Sequence, residues 1–244
     1  MRLLASRVKR ALLQRLLPSP VVVHHGEYSM IYSADDDSGR PSKQLMDLAL
    51  NAVQEARQLD LKDVAIRTKA EVPYPEVWPG EHYRLLAGLV RVLKPKRVIE
   101  VGTAQGLSAL ALKKYLPPDG CITTFDIVAW DRFVDTSLTA ADFSDGRLVQ
   151  ILADLGNGKT FTKYSGLIGS ADLLFVDAPK DGVFEPLFFK HMESLNRCGS
   201  LCLVIDDIRL WNMLAVWRAI SRPKLDLTSF GHWSGTGLVG WCGY

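Results

Sequence analysis

The sequence carries almost no net charge. Its 29 Lys and Arg against 27 Asp and Glu leave a formal +2, so nothing in the whole-chain field marks a nucleic-acid binder. Cysteine is sparse as well. Cys121, Cys198, Cys202 and Cys242 form neither a CxxC pair nor a framework spacing, which removes a disulfide scaffold and fits reduced thiols in a cytoplasmic protein. No apolar run approaches a membrane span, and no internal repeat or low-complexity tract breaks the chain. What remains is ordinary globular composition, 48% apolar and 23% charged, over 244 residues. That length suits one sizeable domain with an accessory segment.

The N-terminus is amphipathic. In "MRLLASRVKRALLQRLLP" the leucines and Val8 recur at helical spacing with Arg and Lys between them. No small-residue cleavage site follows a long apolar core, so a secretory signal is not expected. A helix packed on its own domain or on a second subunit is the plainer reading, and a membrane-surface helix the sharper one. After a turn-rich stretch at 19–42, "KQLMDLALNAVQEARQL" (43–59) predicts an amphipathic helix, and a Pro- and aromatic-rich loop leads into another from about Pro79 to Leu93. From Arg97 strands and helices alternate. Strands are expected at 97–101, 121–126, 147–152, 172–177 and 200–205, and helices near 106–116, 158–167, 183–195 and 209–221. That rhythm argues an α/β fold with a mostly parallel sheet covered by helices on both faces. "LDLTSFGHWSGTGLVGWCGY" breaks it, with two β-rich runs that predict an antiparallel hairpin at one edge. The division expected is a helical or loop segment at 1–77, serving as cap or oligomer contact, and a ligand-binding domain at 78–244.

"RVIEVGTAQGLSALAL" leaves a strand, turns at Gly102 and Gly106, and enters a helix. A Walker loop would need a Lys before the Ser or Thr, to meet phosphates, and none is present. A dinucleotide fingerprint would need a middle glycine, where this chain has GxxxG. That disfavours a dinucleotide without deciding the ligand, because a short glycine motif is weak evidence alone, and an adenosyl group is the third candidate. Asp126, at the end of "CITTFD", stands where a carboxylate accepts both hydroxyls of a ribose, although it also suits a plain strand-end turn.

With those residues in view the chain resembles the class I S-adenosylmethionine-dependent methyltransferases. More narrowly, it resembles the divalent-metal-dependent O-methyltransferases of the catechol and caffeoyl-CoA type and their antibiotic-sugar relatives. "VIEVGTAQGLS" is similar to the family's first motif, and "LLFVDAPKDG" and "LCLVIDDIRLWN" to its metal-binding strand ends, over roughly 78–244. The resemblance implies a doubly wound, Rossmann-like seven-stranded sheet. It also implies a cofactor pocket from Glu100, Gly102, Thr103, Gly106, Ser108, Asp126, Asp154, Leu155 and Asp177. Lys180 matches the residue that takes the hydroxyl proton.

In a doubly wound sheet the ends of the fourth and fifth strands lie side by side above the ligand crevice. Asp177, Asp206 and Asp207 would converge there and repel one another unless a cation separated them. Such oxygen donors favour a hard divalent ion, magnesium first, then manganese or calcium. The same acids also suit helix caps. The family usually has Asp-Asn where this chain has Asp206-Asp207, a departure toward the antibiotic-sugar enzymes that puts a catechol acceptor in doubt. The reading is an O-methyltransferase acting on a small hydroxylated acceptor: a vicinal diol, a sugar or another natural product. The alternatives are a metal-independent methyltransferase and a partner- or membrane-docked module on the same fold. Single residues with weaker signals are Trp78 and His82 before the first motif, Trp211 and Asn212 after the metal pair, and His232 and Trp233 in the hairpin. His24 and His25 are adjacent and so share no face for one metal.

Overall fold

The computed structural model describes residues 39–195, 199–210 and 212–244. The expectations for the basic N-terminal helix, His24-His25 and Trp211 fall outside those residues. Helix α1 (Lys43–Gln58) opens on Ser42, whose Oγ accepts from Leu45 N, and buries Leu45, Leu48, Ala49, Ala52, Val53 and Ala56 along one stripe. A short helix α2 (Lys62–Ala65) follows. Helix α3 (Tyr83–Leu93) begins four residues later than the apolar pattern predicts. Gly80 is the reason: its φ is +63°, and a Cβ there would stand 2.2 Å from the Val77 carbonyl oxygen, so 79–82 is a turn.

Strands β1 (Arg97–Val101), β2 (Cys121–Asp126), β3 (Leu148–Leu152), β4 (Leu173–Val176) and β5 (Leu201–Asp206) alternate with helices α4 (Leu107–Tyr115), α5 (Gly158–Gly169) and α6 (Phe184–Glu193). After β5 come α7 (Met213–Ala219), the short β6 (Lys224–Asp226) and β7 (Thr236–Cys242). The seven strands lie in the order β3-β2-β1-β4-β5-β7-β6. The first five are parallel, and β7 runs antiparallel between β5 and β6. The expected C-terminal hairpin is therefore present, with its second strand inserted against β5.

Alternation along the strands splits the core in two. Val98, Ile122, Phe175 and Val204 meet α1, α3 and α4 on one face, while Ile99, Val101, Leu174 and Ile205 meet α5, α6 and α7 on the other. Helix α1 thus shares an apolar layer with α3, on the far side of residue 77 from it. Among the described residues no helix is long and apolar enough to cross a membrane. Cys121, Cys202 and Cys242 are free thiols.

Candidate active site

The glycine turn is held by the sheet before any ligand is considered. Gly102 N donates to Phe125 O at 2.8 Å, and Asp177 N donates to Val101 O at 2.8 Å, so the ends of β1, β2 and β4 are laced together. Gly102 has φ +100°, and a Cβ on it would stand 1.9 Å from the Asp177 carbonyl oxygen. Gly106, at φ +81°, starts α4 with the Leu138 side chain against its Cα. Asp126 Oδ2 accepts from Thr103 N (2.8 Å) and Ala104 N (3.0 Å), and Oδ1 accepts from Val128 N (2.9 Å). This carboxylate ties down the turn and still faces the crevice, with lone-pair capacity left over.

A cleft of about 940 Å³ opens above these strand ends. Gly102, Asp126, Asp154, Leu155, Asp177, Lys180 and Asp207 all line it. Four of the residues expected in a cofactor pocket do not. The Thr103 side chain turns inward, its Oγ1 2.7 Å from Thr124 Oγ1 and accepting from Gln150 Nε2 at 3.1 Å. Only its backbone serves the turn. Gly106 and Ser108 sit at the buried start of α4. Glu100 shares a face of β1 with Val98, so its carboxyl points into the core beside Ser108 and Thr124. Burial pushes its pKa up to about 7, against the pull of those two hydroxyls, and neither oxygen makes a hydrogen bond of normal geometry.

At the other end of the cleft, β4 and β5 pair in parallel register, Val176 opposite Ile205. That pairing brings Asp177 beside Asp206 and Asp207. Lys180 has φ +58°, with its N–H donating to Glu185 Oε1 at 2.7 Å. Its ammonium reaches back to donate to Asp177 Oδ1 and lies 2.9 Å from Asp207 Oδ2. Burial alone would lower the Lys180 pKa, but Asp177 and Asp207 hold it above the ordinary lysine range. A lysine ready to accept a proton is thus not what this geometry provides on its own; the two carboxylates keep it an ammonium. Asp207 also sits at φ +58°, accepts from Ser234 Oγ, and lies 3.0 Å from His232 Nδ1. Despite burial, those donors and Lys180 hold its pKa below the usual carboxylate range. Asp177 goes the other way, raised by burial and by the neighbouring Asp206.

Two histidines complete the cluster. His82 stands 3.2 Å from Asp206 Oδ1 through Nδ1, and His232 stands 3.2 Å from Glu81 Oε1 through Nε2. Asp207 and Glu81 outweigh burial and lift His232 to about 10, a bound imidazolium. The donor atoms fall into two groups, His82–Asp177–Asp206 and Asp206–Asp207–His232, each within 4.8 Å internally. Asp206 is common to both groups, with Asp177 in one and Asp207 in the other. The Lys180 ammonium lies between Asp177 and Asp207 and contacts both. The sequence signals for these histidines were weak. His82 precedes a helix by one residue and His232 sits in a loop 150 positions away, so only the sheet brings the rings to a centroid distance of 5.7 Å.

The family model described as O-methyltransferase matches residues 55–222. The chain belongs to that family. A putative O-methyltransferase from Mycobacterium sp. (strain KMS) is 29% identical over 70% of this chain and 76% of its own length. A caffeoyl-CoA O-methyltransferase from Stellaria longipes is 33% identical over 60% of this chain and 58% of its own. Among solved structures, a SAH-bound methyltransferase from Podospora anserina aligns with a TM-score of 0.52 and 19% identity, covering 93% of this chain and all of that one. The seven-stranded sheet with its antiparallel C-terminal pair is the fold of this methyltransferase class, and the protein is a methyltransferase.

Proposed function

We propose that this O-methyltransferase transfers the methyl group of S-adenosylmethionine to a hydroxyl of a small acceptor, with a divalent cation at the carboxylate end of the cleft. The observation that carries this reading is one continuous cleft. It runs from the Gly102 turn past Asp126, Asp154 and Leu155 to Asp177, Lys180 and Asp207. Asp126 stands to accept from the ribose hydroxyls with the capacity left after its three backbone bonds. Leu155 offers an apolar wall for the adenine. The cofactor would supply an electrophilic methyl on a cationic sulfur, and the carboxylates at the Asp177 end of the cleft would favour that positive charge.

The residues fit a cation. Asp206 Oδ1 and His82 Nδ1 are buried without a hydrogen-bond partner, and Asp177, Asp206 and Asp207 are hard oxygen donors. Those carboxylates would hold the ion, which would lower the pKa of a bound hydroxyl and fix its direction. Lys180 keeps Asp177 and Asp207 in place and presents an ammonium to a developing alkoxide. The acceptor is a vicinal diol, sugar or comparable natural-product hydroxyl, since two oxygens would suit such a site best.

A second reading has its own support. Because Lys180 pairs with Asp177 and Asp207, and the His232 imidazolium adds a second positive charge at Asp207, a metal-free site is electrostatically self-consistent. Methyl transfer from labelled S-adenosylmethionine to a panel of diols and sugars, before and after exhaustive chelation, separates the two. Loss of turnover on chelation and its return with magnesium or manganese supports the metal reading; undiminished turnover supports the other. Asp126→Ala should weaken cofactor binding in calorimetry by about 2 kcal/mol. Unchanged affinity in a folded variant would remove Asp126 from the cofactor site.

A further inference from the structure

Both histidines approach the carboxylates, but only one has a nitrogen to spare. His232 is committed on both sides: Nδ1 faces Asp207 and Ser234, and Nε2 faces Glu81. His82 differs. It is 3% exposed, and its Nδ1 lies 3.2 Å from Asp206 Oδ1, yet no hydrogen bond of normal geometry joins them, and neither atom has another partner. Buried polar atoms are rarely left so. The ring is not free to turn away, because it is packed between Tyr83 (centroids 4.5 Å apart) and Phe175 (4.9 Å). Its backbone is fixed too, since its carbonyl accepts from Leu86 N at 2.8 Å in the first turn of α3.

We propose that His82 is a nitrogen ligand, completing a His82–Asp177–Asp206 site that prefers a first-row transition dication to magnesium. This rests on reading the carboxylate cluster as a metal site. Donor atoms on one ion are separated by roughly 3–4 Å, given metal–ligand bonds of about 2.0–2.2 Å. The three here lie within 4.8 Å of one another, so a small contraction closes them on an ion. An ion at that point satisfies Nδ1 and Oδ1 together. Imidazole suits cobalt, iron, nickel or zinc far better than it suits magnesium, whereas an all-carboxylate set discriminates less.

The test uses the full chain freed of metal and titrated with MnCl2, CoCl2 and MgCl2 in a calorimeter. Pulsed electron paramagnetic resonance on the manganese form then reads nitrogen coupling. Wild-type protein should show 14N modulation that changes to the 15N pattern when histidine is 15N-labelled. The modulation should survive in His232→Gln and vanish in His82→Gln, and the cobalt-to-magnesium affinity ratio should fall by about tenfold in His82→Gln. If His82→Gln does not fold, the labelled wild-type spectrum together with His232→Gln still decides. A bound ion without nitrogen coupling, or coupling lost only in His232→Gln, overturns the assignment and leaves the metal reading standing. Absence of any binding at millimolar metal overturns both.

Discussion

Glu100 shows how a single side chain is set by its neighbours. It interrupts an apolar strand, and the pleat turns it toward α4, where no cation or matched hydrogen bond compensates its burial. The folded protein therefore holds its proton up to about pH 7, whereas the unfolded chain releases it near 4.5. The raised pKa favours folding fully below about 4.5, and that contribution is lost as the pH climbs through 7. The change is on the order of 3 kcal/mol. Glu100→Gln mimics the protonated form. Urea unfolding at pH 4 and pH 8 should show it matching wild type at the lower pH and exceeding it at the higher. Equal pH slopes for the two proteins would mean that the carboxyl is solvated after all.

Strand ends and the turns that follow them are the next scale. Gly102 is demanded by the approach of β1 to the Asp177 carbonyl, which also fixes where the Asp177 side chain begins. Gly102→Ala should push β4's end away from β1. We expect a loss of about 3 kcal/mol or more, with weakened turnover beyond the stability effect. Gly146 is the control: its φ is +69°, but nothing lies within 4 Å of a Cβ built there. Gly146→Ala should cost only the left-handed backbone penalty, about 1 kcal/mol, with activity retained. Thermal melts and initial rates on both variants check the contrast, and equal losses would refute it. Lys180 and Asp207 share this positive-φ conformation without being glycine, and both lie at the carboxylate cluster. Ala104 in the glycine turn and Lys94 at the end of α3 share it too, so the conformation marks turns as well as the cluster.

Across the whole molecule, the buried Arg84 joins α1 to the site. It donates through Nε to Ala56 O (3.0 Å), through Nη2 to Arg57 O (3.3 Å) and Leu59 O (2.5 Å), and through Nη1 to Pro75 O (3.3 Å). These carbonyls end α1 and open the loop that leads to Glu81 and His82. Arg84→Met leaves the Ala56, Leu59 and Pro75 carbonyls buried without this donor, at a cost of about 3 kcal/mol. Chemical denaturation should show that loss, and limited proteolysis should show faster cutting at 66–80. Unaltered cleavage would mean that the loop is held by other contacts.

The sequence by itself determined the alternation of strands and helices, the glycine turn with its strand-end acid, and the placement of Asp177, Asp206 and Asp207 at strand ends. Each is written in local periodicity or in a short motif. Which side each residue faces was partly legible too, yet the strand pleat turns Glu100 into the core, the Thr103 side chain folds back on Thr124, and Ser108 lies in the buried first turn of α4. Only the tertiary structure decided the partners: Lys180 between two carboxylates, His82 against Asp206, His232 bridging Glu81 and Asp207. The physical reason is that these pairings run across the sheet. They depend on β7 inserting beside β5 and on α3 docking over β4, and both are set by the burial of whole faces, with no spacing along the chain that records them.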